Sequence, residues 1–254
     1  MNKPAKARIR LSFERAAPTY DSAADIQRQI CCQLAESLPS GLQAEHLLDA
    51  GCGTGYALAL LQKRFPEARL IALDFAPAML ACISNPCQRL VGDLEHLPLI
   101  AGSVDLYWSS LAVQWCALPT VLAEASRVLK NQGQIAIASL GPQTFHELRH
   151  AFAAVDAHQH TLNFHSVDEI TRLAHEAGFI TVNVENSPKI AYYPDFKSLL
   201  RAVKAIGANQ LGSGRRSGLM SRSAFAQAEA ACETLRTESG LPLTYDVITL
   251  AAQR

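Results

Sequence analysis

The chain has 254 residues, 49% of them hydrophobic, and its 23 Lys and Arg are balanced by 23 Asp and Glu. That length buries a full core without staples, and with only 18% charged residues the composition excludes a disordered or collagen-like chain. Zero net charge gives no global reason to bind nucleic acid or a membrane, yet the charge is uneven: residues 1–15 carry a net +4 and residues 189–222 a net +6.

The N-terminal MNKPAKARIR has no apolar stretch behind its basic residues, and no window reaches the roughly 18 apolar residues of a membrane span, so neither a leader nor a span is expected. Residues 5–17 and 23–38 predict two helices broken at Pro18, the second capped by Asp21 or Ser22. From there strands and helices alternate. Strands are expected at 46–50, 69–74, 89–91, 103–109 and 134–140, with helices at 56–64, 76–83 and 119–130 between them. This rhythm predicts a parallel sheet covered on both faces. Beyond it come helices at 143–155 and 167–177, a strand at 180–185, an insert at 194–240 with helices at 196–206 and 221–237, and a last strand at 243–251. The seven cysteines form no CxxC pair and no regular spacing, so free thiols in a reducing cytoplasm are expected.

The strongest local signal is LLDAGCGTG at 47–55. A strand runs into Gly51, Gly53 and Gly55 and then into a helix, a turn that needs backbone freedom and lets a ligand approach the main chain. Asp74 ends the next strand, where an acid can accept hydrogen bonds from both hydroxyls of a ribose. Dinucleotide sites read GxGxxG; this one reads GxGxG behind Asp49, which repels a pyrophosphate and suits an ammonium. The pattern resembles motif I of class I S-adenosylmethionine-dependent methyltransferases, and two further blocks match that family, Gly92-Asp93-Leu94 and LKNQG at 129–133.

The resemblance narrows with SSLAVQWC at 109–116, FERAAPTYD at 13–21, GPQTFHELRHAFAAVDAHQH at 141–160, LLRAVKAIGAN at 199–209 and PLTYDVITL at 242–250. Together these blocks look like the malonyl-[acyl-carrier protein] O-methyltransferases of early biotin synthesis; Ser110 stands where that family carries Asn. The resemblance implies one domain over 1–254. Its fold is an α/β Rossmann-like sheet, mostly parallel with the last strand antiparallel. The core covers about 45–188 plus 241–254, with a helical cap from 1–40 and 194–240.

It further implies S-adenosylmethionine as cofactor, S-adenosylhomocysteine as product, and methylation of the free carboxylate of a malonyl thioester. Asp49, Gly51, Gly53, Gly55, Asp74, Phe75, Met79, Asp93, Leu94, Leu111 and Gln114 are the expected cofactor residues. Tyr20 is the expected catalytic side chain. Trp115, His146, Arg15, Arg149 and Arg201 are substrate candidates, because an arginine fork fits a carboxylate. Trp108 reads as packing.

No metal is expected, since His146 and His150 lack a further ligand set. The basic residues Lys197, Lys204, Arg215, Arg216 and Arg222 are expected to dock an acidic acyl carrier protein bearing malonyl-phosphopantetheine; no nucleic acid, no membrane and a monomer are expected. Two alternatives stand beside this reading: methylation of another small molecule, such as a quinone precursor or a polycarboxylate, and a non-methylating assembly factor or hydroxylase on the same fold.

Overall fold

The computed structural model describes residues 5–153, 155, 156, 158, 161–205 and 220–254. Three helical segments open the chain: α1 (Lys6–Ala16), then, after a 3-10 turn at Ala17–Thr19, the single turn α2 (Tyr20–Ala23), and α3 (Asp25–Glu36). The alternating part follows as β1 (His46–Ala50), α4 (Tyr56–Arg64), β2 (Arg69–Asp74), α5 (Pro77–Ala81), β3 (Gln88–Val91), β4 (Val104–Ser110), α6 (Leu118–Val128) and β5 (Leu129–Leu140). The remaining elements are α7 (His146–Ala153), α8 (Val167–Glu176), β6 (Ile180–Asn186), β7 (Lys189–Tyr193), α9 (Phe196–Ala205), α10 (Arg222–Glu233), β8 (Leu241–Tyr245) and β9 (Val247–Gln253).

Seven strands form the main sheet in the order β3-β2-β1-β4-β5-β9-β6. β1 pairs in parallel with both β2 and β4, while β9 runs antiparallel to β5 and to β6. The sheet is thus mostly parallel with an antiparallel last strand, as the resemblance implies. Strand order reverses at β1, and the loops leaving β1 and β4 diverge there, which opens a crevice at their C-terminal ends.

Period-2 alternation splits the core between the two faces. Leu47, Leu106, Trp108, Ala136 and Ala138 pack with α3, α4 and α7 on one side. Leu48, Tyr107, Ile135 and Ile137 pack with α6 and α8 on the other. Trp108 is fully buried, so the packing reading holds. The seven cysteines are free thiols. No helix among the described residues is long and apolar enough to cross a membrane.

Several element expectations need correction. The last strand is two strands. It breaks at Asp246, and β8 leaves the main sheet to pair antiparallel with β7, a strand the alternation did not reveal. Asp246 is buried and its carboxylate accepts from Gln143 N at 2.8 Å and Asn186 Nδ2 at 2.6 Å, partners invisible in the local pattern. The helix expected from residue 143 starts only at His146, because Gly141 N and Phe145 N are bound to the carbonyls of Asp246 and Thr244. Neither Asp21 nor Ser22 caps α3; its N-cap is Ala24, and Asp21 instead accepts from Thr54 Oγ1 at 2.7 Å. α10 ends at Glu233, well before residue 237, since Thr237 bridges to Gly240. β5 begins at Leu129 rather than at residue 134.

Candidate active site

The GxGxG turn hangs from β2: the N–H groups of Gly51 and Cys52 both donate to the Leu73 carbonyl, at 2.7 and 3.0 Å. Gly51 and Gly53 have φ of +76° and +54°, in the left-handed region that favours glycine. The two differ in surroundings. A Cβ on Gly51 would lie 2.3 Å from the Ala112 Cβ, whereas a Cβ on Gly53 would meet nothing within 4 Å. Gly51 is therefore required by packing, and Gly53 leaves its main chain open to a ligand. Gly55, at φ +87°, is the N-cap of α4.

Two carboxylates face this turn. Asp74, at the end of β2, accepts from Gly53 N at 3.0 Å and from Ala76 N at 2.8 Å. Burial raises its pKa, opposed by the N–H groups of Ala76, Gly53 and Phe75, and the carboxylate keeps further acceptor capacity. Asp49 is 1% exposed, and its Oδ2 has no hydrogen-bond partner. Burial, and after it the charge of Asp74, pushes its pKa up to about 8. A buried, unpartnered carboxyl oxygen facing a cavity is an unmet acceptor for a cationic donor.

That cavity, of about 120 Å³, is bounded by Asp49, Gly51, Gly53, Asp74, Phe75 and Met79. Asp93, Leu94, Leu111, Trp115 and Tyr20 also line it, so most of the expected cofactor residues converge on one chamber. Ser110 lies here too, hydrogen-bonded to the Cys31 thiol. The helical segments of the N-terminus close it from above: the Phe13 ring meets Phe75 edge-on at 6.4 Å and Trp115 at 5.7 Å.

Asp93 is ion-paired with Lys6 and accepts from Glu95 N at 3.0 Å. Burial works to raise its pKa, but the hydrogen bonds from Lys6 and from Glu95 N outweigh it and hold the carboxyl low. Asp93, Glu95 and Cys116 bring three ligand atoms within 4.8 Å, but Lys6 Nζ contacts both carboxylates and already supplies their counter-charge.

A second, smaller chamber of about 50 Å³ adjoins the first. Phe13, Tyr20, Gln27, Leu111 and Trp115 line both and make up the boundary between them. Gln114 lines only the second. Its Nε2 donates to the Leu111 carbonyl at 2.6 Å, and Leu111 itself has φ +55°. Tyr20 is held protonated, its pKa pushed up to about 12 by burial and then by the charge of Asp74.

The other expected substrate residues do not gather here. Arg15, His146, Arg149 and Arg201 line neither chamber. Arg15 is exposed at the end of α1. His146 Nδ1 lies 3.4 Å from Glu147 Oε2, and Arg201 donates to Ser198 Oγ at 3.0 Å on the outer face of α9. Arg149 donates to the carbonyls of Thr144 and Pro142 at 2.6 and 2.8 Å, so it clamps the turn before α7. Lys197, Lys204 and Arg222 are exposed, with Lys197 Nζ 6.0 Å over the Phe225 ring. Arg215 and Arg216 lie outside the described residues.

Sequence reasoning passed over α3. Ala24, Gln27, Arg28 and Cys31 all line the first chamber. Their spacing of i, i+3, i+4 and i+7 marks one face of a helix, and that periodicity was the available signal. Arg28 is a cation of that chamber, as is Lys6; Arg28 donates to the Asp21 carbonyl at 2.6 Å and pairs with Asp25.

A family model described as a methyltransferase domain matches residues 48–137. The chain is 66% identical to a malonyl-[acyl-carrier protein] O-methyltransferase of Dechloromonas aromatica (strain RCB), over 99% of this chain and 96% of that protein. A protein of the same name from Laribacter hongkongensis (strain HLHK9) is 42% identical, over 96% of this chain and 87% of the relative. Among solved structures, a SAM-dependent methyltransferase from Thermotoga maritima, described as a possible histamine N-methyltransferase, superimposes with a TM-score of 0.58 at 17% identity, covering 96% of this chain and 99% of that one.

Proposed function

The chain belongs to the malonyl-[acyl-carrier protein] O-methyltransferases, the S-adenosylmethionine-dependent enzymes of biotin synthesis, and on that premise we propose that the two joined chambers bring the donor methyl and the malonyl carboxylate together at Tyr20. The observation that carries this assignment is the shared lining, since Tyr20, Gln27 and Trp115 border both chambers and the proposed passage runs between these side chains.

The first chamber suits S-adenosylmethionine on its own chemistry. Asp74 takes the ribose hydroxyls, and the unpartnered oxygen of Asp49 takes the ammonium. Arg28 would meet the amino-acid carboxylate, Phe75 and Met79 would supply apolar surface, and Asp93 with Leu94 would take the adenine; all of them line this chamber. When bound, this group supplies a methyl carried on a sulfonium and leaves as the neutral thioether S-adenosylhomocysteine.

Little acid-base machinery is needed on the protein side. A carboxylate with a pKa of about 4 is already ionised at neutral pH, so its oxygen attacks without a general base. A bond forms between that oxygen and the methyl carbon, and the carbon–sulfur electron pair departs with sulfur. The protein's work is alignment and exclusion of water. Tyr20, protonated at any physiological pH, donates its O–H to the carboxylate and cannot compete as a nucleophile. Phe13 and Trp115 meet edge-on across the passage and keep it dry.

For the carrier protein, Lys197, Arg201 and Lys204 stand at i, i+4 and i+7 on the exposed face of α9, which also touches α2, the turn bearing Tyr20. This basic stripe, with Arg222 and with Arg215 and Arg216 in the same net +6 segment, meets an acidic carrier beside the passage. The helices α1–α3, α9 and α10 act as the cap. The proposed enzyme is a monomer that works in the cytoplasm, and its free thiols support the second of these readings.

The test is an acceptor series with S-adenosylmethionine as donor. Methylation of malonyl carrier protein, with none on acetyl carrier protein and a kcat lowered at least tenfold in Tyr20→Phe, supports the assignment. Equal activity of Tyr20→Phe removes Tyr20 from the site.

A further inference from the structure

Among the described residues lining the second chamber there is no Lys, Arg or His. Its polar groups are all neutral: Tyr20, Gln27, Gln114, Thr161 and Tyr245. Arg149 reaches its edge, donating to Thr161 Oγ1 at 3.3 Å, but it is committed to two carbonyls and sits in the field of the buried acids Glu147 and Asp246. Among the described residues, a chamber meant for an anion thus offers it no cationic side chain.

Resting on the reading above, we propose that the acceptor carboxylate is held by neutral donors, with the Gln27 amide as its specificity-determining group, and that its counter-charge is the donor's own sulfonium. Gln27 is pre-organised for this. Its amide hydrogen-bonds the Tyr245 hydroxyl, which in turn is hydrogen-bonded to Tyr193. Tyr245 is 3% exposed and packs edge-on against Phe145 at 5.0 Å. A glutamine amide has two N–H donors and an acceptor, so the side chain that meets Tyr245 keeps hydrogen-bonding capacity for a ligand.

The logic is differential binding. In the transfer step an anion and a sulfonium neutralise each other, so charge disappears on the way to the transition state. An arginine fork would stabilise the ionised ground state more than the neutralising transition state, and would occupy the lone pairs that must attack. Neutral donors orient the carboxylate at a smaller ground-state cost, and in a dry chamber the sulfonium's attraction is little screened.

The experiment measures binding of malonyl carrier protein by calorimetry to the wild-type protein saturated with either of two ligands. S-adenosylhomocysteine is neutral at sulfur; sinefungin carries an ammonium where the sulfonium would be. At least tenfold tighter binding to the sinefungin complex is expected, and Gln27→Glu should weaken binding to that complex at least tenfold while Gln27→Met weakens it only a few-fold. Equal affinity for the two wild-type complexes overturns the neutral chamber whatever the variants do. Unchanged binding in Gln27→Glu overturns the role of Gln27. If malonyl carrier protein binds neither complex, the substrate reading itself fails, a result distinct from both.

Discussion

Lys6 on α1 is ion-paired with Asp93, the acid that follows β3, across 87 positions of sequence, and its ammonium also lies 3.0 Å from Glu95 Oε2. The first helix is thereby fastened to the floor of the cofactor chamber. Lys6→Met should change stability by less than about 1 kcal/mol, because Lys6 is 41% and Asp93 33% exposed and water screens the pair. It should nevertheless speed cofactor dissociation several-fold, since the pair holds the cap. Stopped-flow release of S-adenosylhomocysteine checks this; an unchanged rate would mean that the pair is decorative.

The two glycines at the turn should separate under alanine substitution. Gly51→Ala forces a Cβ into Ala112 at a positive φ, and a loss of roughly 3 kcal/mol or more in unfolding free energy is expected. Gly53→Ala meets no atom of the protein, so its cost is about 1 kcal/mol of backbone strain. Its methyl instead enters the ligand's space. Cofactor affinity should fall at least tenfold in Gly53→Ala with a melting temperature close to wild type, as thermal unfolding and calorimetry on one sample would show.

Asp49 predicts a proton-linked cofactor. In the free protein its pKa stands at about 8, raised by burial and by Asp74, so at neutral pH most molecules carry it protonated. For a carboxyl whose folded pKa is raised, the contribution to stability is full below its unfolded value and is lost as pH rises through the folded one. Free-protein stability from this group therefore declines between about pH 4 and pH 8. Binding an ammonium requires the ionised form, so affinity should climb from pH 6 toward pH 8, with proton release. An α-amino group itself deprotonates near about 8, which closes the profile into a bell. Asp49→Asn should remove the acid limb; calorimetry in buffers of different ionisation enthalpy reads the proton directly.

The parts of this site that could be read from sequence are those whose chemistry is local. Asp49, Gly51, Gly53 and Asp74 announce themselves because a strand-turn-helix junction with positive φ and an acid on either side serves few other purposes. The alternation that predicts the sheet is likewise written residue by residue. What escaped depends on distant partners. The break at Asp246 exists because Gln143 and Asn186 bind its carboxylate, and β7 forms because β8 has been freed by that break. Charge alone does not tell which side chains gather at the chambers: Arg149 holds a turn, while Gln27, a neutral residue with no local signature, lines both.

The buried network around Asp246 gives a further prediction. Thr144 Oγ1 accepts from Asp246 N at 3.1 Å, and Glu147 accepts from Thr244 N at 3.1 Å, so β8, β9 and the turn before α7 are fastened together. This fastening holds Phe145 at φ +58°, against Tyr245 in the second chamber. Asp246→Ala leaves the Gln143 N–H and the Asn186 amide without their acceptor and should cost about 2–4 kcal/mol. In the surviving folded fraction, KM for the malonyl carrier should rise with cofactor affinity retained. Loss of cofactor affinity in equal measure would place the damage elsewhere.

In the reaction proposed for these chambers the methyl group lands on the free carboxylate oxygen of the malonyl group. Methyl-13C-labelled S-adenosylmethionine, incubated with the protein and malonyl carrier protein labelled with 13C at the free carboxyl, tests it by NMR. The account predicts one new O-methyl resonance coupled to the labelled carboxyl carbon and discharged by mild alkali. A methyl signal on carbon, nitrogen or sulfur, or no transfer at all to the malonyl carrier, would contradict it.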